Sequence, residues 1–146
     1  MGSFDIDFTG EHSERDSSLA VGIIRLRDME ERFHAPIGFW TIEDYRRSWD
    51  VALRKVIDDA GISCLVTSML DPATANFIQV WPLYRDGATV HVQNRLIFLA
   101  EEPSFDATAP WDCLGPRSTV NEDGDHISEW SVSTADVEHF LIQSDS

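Results

Sequence analysis

The chain has few cysteines and no long apolar run. Its two cysteines, Cys64 and Cys113, are too few for the disulfide framework of a small secreted protein. No apolar stretch approaches the roughly 18 residues of a membrane-spanning helix, and the amino terminus shows no secretory signal. These absences predict a cytoplasmic protein, and a length of 146 residues predicts a single domain over residues 1–146.

Basic residues are also scarce. Lysine and arginine total 11 against 26 aspartates and glutamates, which gives a formal net charge of −15. This charge repels nucleic-acid phosphates and anionic membranes, so neither is an expected partner. It attracts a basic protein and accelerates association with it, although acidity can also serve solubility alone. The charge therefore favours a basic protein partner.

The sequence motifs of common enzymes and metal sites are missing. There is no Walker loop, no Gly-x-Gly-x-x-Gly pattern, no His-Glu-x-x-His motif and no Cys-x-x-Cys pair. The five histidines are scattered, and no two have helical i,i+4 spacing. Asn121–Asp125 fits a calcium loop poorly, because Val132 stands where the bidentate glutamate belongs. We therefore predict no catalytic residue, no metal and no cofactor.

Two helices are predicted from capping signals and apolar spacing. Thr41 followed by Asp44 matches a capping box, in which each side chain accepts a hydrogen bond from the other residue's backbone. Gly61 ends this long helix, and Ser133 with Asp136 begins a short one near the carboxy terminus. The inward-facing residues of the long helix are Tyr45, Trp49, Ala52, Leu53, Val56, Ile57 and Ala60.

The β-rich runs predict a mainly antiparallel sheet. Asp86-Gly87 between two runs is a strong hairpin signal, because a type I′ turn needs positive φ at both central residues. This sheet, packed against one long amphipathic helix and a short carboxy-terminal helix, predicts an α+β fold. Strands are predicted over Leu19–Leu26, Ile62–Met69, Phe77–Arg85 and Ala88–Leu99, with a second hairpin pairing 118–120 with 126–133.

Three stretches predict irregular structure. Residues 9–18 are almost wholly polar, so residues 1–18 are predicted to be a mobile amino-terminal segment. Phe33–Trp40 contains a proline and a glycine, which predicts a bent connection. Glu101–Pro116 is an acidic stretch broken by prolines, and is predicted to be a loop.

A two-residue loop at Asp86-Gly87 decides which hairpin side chains share a face. It pairs Leu83 with Val90 and Trp81 with Val92. The predicted core face holds Phe77, Trp81, Leu83, Val90, Val92 and Leu96. The opposite face has a mixed composition, which suits either a contact surface or burial under the carboxy-terminal helix or the acidic loop. Its residues are Ile78, Val80, Pro82, Tyr84, Thr89, His91, Gln93 and Arg95.

The same register brings two amides together in the core layer. Gln79 and Asn94 face each other, so they are predicted to bond each other or a loop backbone, because buried amides need hydrogen bonds. The sharper alternative is a ligand pocket around Gln79, Asn94 and Trp81, in a small-molecule-binding or enzymatic α+β domain. A general adaptor module is a third possibility.

Pro82 predicts a defect in the sheet. In this register Pro82 and His91 form a non-hydrogen-bonded pair, so the proline nitrogen points away from its hairpin partner. Proline has no N–H to donate to a strand on that other side. The ladder with the strand at 62–69 is therefore predicted to end, bulge or shift near Pro82.

Three blocks of the sequence resemble a known family. The first block is Pro36–Thr41 with Glu43–Tyr45 and Trp49. The second consists of the motifs from Thr67–Met69 to Val92–Asn94. The third is Gly115–Arg117 with Ile127–Ser133. Together they resemble the small immunity proteins of bacterial contact-dependent growth inhibition systems, over most of the chain from Gly22 to Leu141. The resemblance implies a non-enzymatic protein that binds a cognate toxin domain, delivered by a neighbouring cell, and blocks its active site.

Many toxins of such systems are nucleases, and a nuclease presents a basic surface that suits a partner at −15. The resemblance transfers no binding residues, because these immunity proteins are specific to their own toxins. Candidates therefore come from two acidic loops and from the mixed hairpin face. The predicted toxin-binding residues are Glu101, Glu102, Asp106, Glu122, Asp123, Asp125, Tyr84 and His91.

Overall fold

The computed structural model describes residues 3–59 and 61–144, so Ala60 of the predicted inward face lies outside the described residues. The elements are β1 Phe4–His12, β2 Leu19–Leu26, β3 Met29–Pro36, α1 Ile42–Asp59, β4 Ile62–Ser68, β5 Phe77–Asp86, β6 Thr89–Gln93, β7 Arg95–Phe98, β8 Glu129–Ser133 and α2 Thr134–Ser144. Short 3₁₀ helices cover Leu99–Glu101 and Pro110–Cys113. The described residues form two antiparallel sheets, one in the order β1-β2-β3 and one in the order β4-β5-β6-β8, with β7 also paired to β5. The predicted α+β fold is confirmed.

Helix α1 begins at the predicted capping box. Thr41 N–H donates to Asp44 Oδ2 (2.9 Å), and Asp44 N–H donates to Thr41 Oγ1 (3.1 Å). The Tyr45 hydroxyl donates to the Pro36 carbonyl (2.6 Å) and accepts from Met69 N–H (2.9 Å). Burial raises the pKa of Tyr45 to about 12, so this hydroxyl keeps its proton and its donor role. It joins the end of β3 to the chain just after β4.

An aromatic cluster fills the space between α1 and the three-stranded sheet. The Trp49 ring stacks on Phe8 with centroids 5.2 Å apart and meets the edge of Phe33 at 5.9 Å. On its other side Trp49 Nε1 donates to the Val66 carbonyl of β4 (2.7 Å). The helix therefore contacts both sheets through one side chain.

Two amino-terminal predictions of irregular structure are wrong in part. β1 pairs with β2 from Phe4 to His12, so the loop prediction fails over residues 9–12 and the amino-terminal segment predicted over residues 1–18 contains a strand. The ladder bulges between Phe8 and His12, where the side chains are polar. β3 likewise extends through Pro36 into the predicted bend at Phe33–Trp40. Backbone groups make the ladder, so pairing with β2 overrides the local side-chain pattern.

The central hairpin keeps the predicted faces with a different turn. Asp86 pairs with Thr89 and Leu83 pairs with Val92, so the loop residues are 87 and 88. Gly87 has φ +61 at the first central position, as in a type II′ turn. The register shift is two residues, an even number, so every side chain stays on its predicted face. Trp81 and Val92 share a buried face as predicted.

Burial of the two hairpin faces differs from the prediction at one end. Phe77 and Leu96, predicted in the core, are 41% and 39% exposed, because they lie at the open end of the hairpin, far from its turn. On the opposite face Ile78 and Val80 are fully buried. The 3₁₀ helix Pro110–Cys113 packs against β4, so the acidic loop contributes to this side of the core. Burial is therefore confirmed for most of the mixed face, whereas Thr89 and His91 are half-buried and Arg95 is exposed.

The predicted break at Pro82 lies on the other edge of β5. The ladder between β4 and β5 continues through Pro82, which pairs with Cys64, so the prediction is wrong at Pro82 itself. The same ladder does shift register nearby, between Val66 and Ser68, opposite Val80 and Gln79. Pairing with β6 ends at Leu83, and pairing with β7 resumes at Val80. Since proline has no N–H, the gap between β6 and β7 falls where that donor is missing.

The carboxy-terminal region places β8 against β6 instead of in a second hairpin. The predicted pairing of 118–120 with 126–133 is reduced to one bridge between Val120 and His126. The cap of α2 is as predicted, with Asp136 N–H donating to Ser133 Oγ (3.0 Å). Within residues 3–59 and 61–144, no helix is long and apolar enough to cross a membrane.

Candidate functional site

The first acidic loop presents carboxylates next to the end of β7. Glu101 is exposed at the end of a 3₁₀ helix, and Glu102 is half-buried against Cys113. Burial, together with the neighbouring Glu102, raises the pKa of the Cys113 thiol, which disfavours a reactive thiolate. Asp106 Oδ1 accepts from Thr108 Oγ1 (2.7 Å) and Thr108 N–H (2.8 Å), and these bonds lower the pKa of Asp106. Asp106 therefore keeps its negative charge at neutral pH.

The second acidic loop is a tight turn around Gly124. Asn121 Oδ1 accepts from the N–H groups of Asp123 (2.9 Å) and Asp125 (3.0 Å), and Gly124 has φ +85. The side chains of Glu122, Asp123 and Asp125 point to solvent. Among the described residues their carboxylates make no hydrogen bond or ion pair. The backbone is held locally, so the three charges are presented without a partner.

Tyr84 and His91 lie directly opposite each other, as the mixed face requires. Tyr84 is 6% exposed, and burial raises the pKa of its hydroxyl against the opposing effect of Arg95. His91 Nδ1 lies 2.9 Å from Ser131 Oγ. Both residues line a cavity of about 350 Å³ whose rim includes Arg117. Tyr84 and His91 therefore belong to the lining of one recess.

A carboxylate that sequence reasoning missed organises this recess. Glu129 accepts from Arg117 Nε (2.8 Å) and Gln93 Nε2 (2.8 Å), and lies 3.7 Å from His91 Nδ1. Chiefly the Arg117 hydrogen bond, with help from Gln93, holds the pKa of Glu129 below its usual range. Gln93 Nε2 also donates to the Ser118 carbonyl (2.9 Å). No sequence motif marks Glu129, because its partners lie on β6 and in the connection before β8, far from it in the sequence.

The alternative ligand pocket around Gln79, Asn94 and Trp81 is occupied by the protein itself. Gln79 Nε2 donates to Asn94 Oδ1 (3.0 Å), as the first reading of this pair predicts. Trp81 is fully buried, with its ring 5.7 Å from that of Trp130. Its Nε1 has no partner within the described part of the chain. The two amides therefore bond each other, as predicted.

The structure brings some of the predicted site residues together and keeps others apart. Tyr84 and His91 share the recess with Arg117, which lies on the chain between the two acidic loops. No hydrogen bond or ion pair joins the two acidic loops to each other in the described residues. Within the same residues no three His, Cys, Asp or Glu side chains are placed to hold a metal ion. The exposed carboxylates can instead pair with basic side chains of a partner.

Comparison with known proteins confirms the resemblance seen in the sequence. The family model of the CdiI N-terminal domain matches residues 35–140. Immunity protein CdiI of Enterobacter cloacae subsp. cloacae is 37% identical over 117 residues, which cover 80% of this chain and 81% of that protein. A chain of the solved CdiA-CT/CdiI toxin and immunity complex from Enterobacter cloacae matches with TM-score 0.89 and 33% identity, over 97% of this chain and 98% of that chain. The chain therefore belongs to the CdiI immunity protein family.

Proposed function

We propose that this protein binds the toxin domain of its own contact-dependent growth inhibition system and neutralises it without catalysing a reaction. The observation that carries the proposal is the likeness, over 97% of the chain, to a chain of a CdiA-CT/CdiI toxin and immunity complex. A shared fold alone does not transfer function, but here it comes with 33% identity and membership of an immunity family.

The toxin is proposed to be basic, and a nuclease. A net charge of −15 gives the protein a surface that a nucleic acid avoids and a basic protein approaches. An active site built to hold phosphates is complementary to carboxylates as well. Covering such a site with acidic loops would exclude the substrate by both charge and bulk.

The proposed interface includes the predicted acidic residues and the recess lined by Tyr84 and His91. Glu101, Asp106 and the three carboxylates of the Gly124 turn are exposed, so they can meet basic side chains with little rearrangement. Tyr84 and His91 are proposed to contribute through the 350 Å³ cavity, into which one partner side chain could insert. The complete proposed set is Glu101, Glu102, Asp106, Glu122, Asp123, Asp125, Tyr84 and His91.

The proposal is tested by pairing the protein with the toxin domain encoded beside it. Co-expression should restore growth of cells that produce the toxin domain, and the two chains should co-purify at equal stoichiometry. A toxin domain from an unrelated growth inhibition system serves as the specificity control and should not be neutralised. Loss of growth despite stable co-expression, with no complex recovered, would exclude the proposed function.

A further inference from the structure

Three large apolar side chains are exposed together on one face of the five-stranded sheet. Phe77 on β5 pairs with Phe98 on β7, and Leu96 lies two residues before Phe98 on the same face. The Phe77 and Phe98 rings contact with centroids 6.3 Å apart, and Phe98 is 50% exposed. We name Phe77, Leu96 and Phe98 the apolar patch. Clustered exposure of this kind marks interaction sites, whereas single exposed apolar residues do not.

The apolar patch has a polar border on one side and an acidic border on the other. Gln79 pairs with Leu96 in the ladder and bonds Asn94, which supplies an amide pair beside the patch. Leu99 N–H donates to the Asn76 carbonyl (3.0 Å), which fixes the segment leading to Glu101 and Glu102 beside Phe77. An apolar centre with a polar rim is the usual anatomy of a protein interface.

The free edge of β7 adds backbone groups to this surface. In the described part of the chain β7 pairs with β5 on one side and with no strand on the other. An unpaired edge exposes N–H and C=O groups that a partner chain can bond. The apolar patch and this edge therefore offer a partner both apolar contact and backbone hydrogen bonds.

Charge decides which partner suits the patch. A second copy of the chain would bring another net charge of −15 and another Glu101–Glu102 pair against the same border. Like charges opposed at an interface cost binding free energy. Three side chains also fall short of the roughly 800 Å² per partner that stable interfaces bury. A basic partner that contacts both the acidic loop and the patch is not repelled by charge, and it buries a larger area than the patch alone provides.

We propose that the cognate toxin domain docks an apolar side chain on Phe77, Leu96 and Phe98 while its basic residues contact Glu101 and Glu102. This inference rests on the proposed function and adds an apolar anchor to the acidic loops. The two surfaces have separate kinetic roles. Acidic residues at the rim accelerate association, and desolvated aromatic contacts at the centre slow dissociation.

The test is the dissociation rate of the toxin domain from a patch variant. We expect the combined Phe77→Ser, Leu96→Ser and Phe98→Ser variant to dissociate on the order of 10- to 100-fold faster than wild type, with a nearly unchanged association rate. The matched control is Ile142→Ser on α2, which removes a 70% exposed apolar side chain away from the patch. This control should dissociate at the wild-type rate.

The possible results separate this inference from the function on which it rests. An unchanged dissociation rate in the folded patch variant overturns the inference and leaves the proposed function intact. A wild-type protein that fails to bind the toxin domain overturns both. Wild-type self-association that the patch substitutions abolish would identify a second copy as the occupant and overturn the inference.

A second measurement uses wild-type protein alone, so that misfolding of the variant cannot obscure the answer. Toxin binding should slow hydrogen exchange of the backbone amides in residues 95–102. Exchange rates there that are the same with and without the toxin domain would overturn the inference.

Discussion

Single polar side chains in this fold join segments that are distant in the sequence. Glu129 on β8 binds Gln93 on β6 and Arg117 in the connection before β8. Its carboxylate is largely shielded from water, so the hydrogen bonds to it compete less with solvent than those of a surface pair. The connection that links the two acidic loops is therefore anchored to the sheet through one charge.

The charge of Glu129 predicts a specific pH dependence of stability. Its pKa is lowered in the folded protein, chiefly by Arg117, so its stabilising contribution is complete above the unfolded pKa of about 4.3 and is lost as pH falls through the lower folded value. Glu129→Gln keeps the acceptor for Gln93 and removes the charge. We expect the free energy of unfolding at pH 7 to be about 1 kcal/mol lower in this variant than in wild type. This difference should become smaller as the pH falls below about 4.3.

Urea denaturation at several pH values measures this difference. Glu138→Gln, an exposed carboxylate on α2, is the control for simple removal of a negative charge. If the difference in free energy of unfolding between wild type and Glu129→Gln stays constant from pH 7 to strongly acid pH, the charge of Glu129 does not stabilise the fold.

At the scale of whole elements, β2 and β3 depend on one close side-chain approach. Gly22 on β2 pairs with Phe33 on β3, and the Phe33 ring crosses the space where a side chain on residue 22 would lie. The ring then reaches the aromatic cluster on α1, 5.9 Å from Trp49. Glycine at this position lets the three-stranded sheet pack against the helix.

Gly22→Ala should therefore separate β3 from its packing against α1. A Cβ at residue 22 would lie 2.2 Å from Phe33 Cζ, so the ring must move out of the cluster. We expect the free energy of unfolding to fall by about 1–3 kcal/mol, measured by urea denaturation. Gly115→Ala, where a Cβ meets open space, should leave stability near wild type. Equal stability of both variants would show that the ring has room to relax.

Elements with local signals were predictable from the sequence. Helix α1 follows from the Thr41–Asp44 capping box and the 3.6-residue apolar repeat, both of which depend on neighbouring residues alone. The hairpin faces were also predictable, because an error of two residues in the register preserves the side-chain alternation. The exposure of Phe77 and Leu96 was not predictable, because the end of the hairpin that stays exposed depends on elements far along the chain.

Elements and contacts made by distant pairing were not predictable. β1 extends into polar residues because β2 supplies backbone partners that no pattern within 9–12 reveals. The gap at Pro82 could not be placed from the sequence, because its position depends on which strand pairs with each edge of β5. Of the candidate site, the exposed acidic turns could be predicted from their loop chemistry, whereas the Glu129 contacts and the apolar patch could not.

The whole molecule combines a strong negative charge with loops that present part of it unpaired. Many other acidic residues lie in ion pairs on helices and strands, such as Asp50 with Arg54 and Glu43 with Arg46. Exposed pairs of this kind contribute little to stability. The carboxylates of the Gly124 turn have no such partner among the described residues. Their field therefore extends toward an approaching basic surface and weakens as salt is added.

The association rate of the cognate toxin domain at low salt shows whether the two acidic loops meet the toxin. One variant neutralises the loop residues Glu101, Glu102, Asp106, Glu122, Asp123 and Asp125 to their amides. A control variant neutralises six exposed acidic residues elsewhere, namely Glu14, Asp28, Glu31, Asp58, Asp59 and Glu138. Both lose the same charge. We expect the loop variant to associate on the order of tenfold more slowly than the control, with folding unchanged in both. Equal association rates for the two variants, with cells still protected by the loop variant, would contradict this expectation.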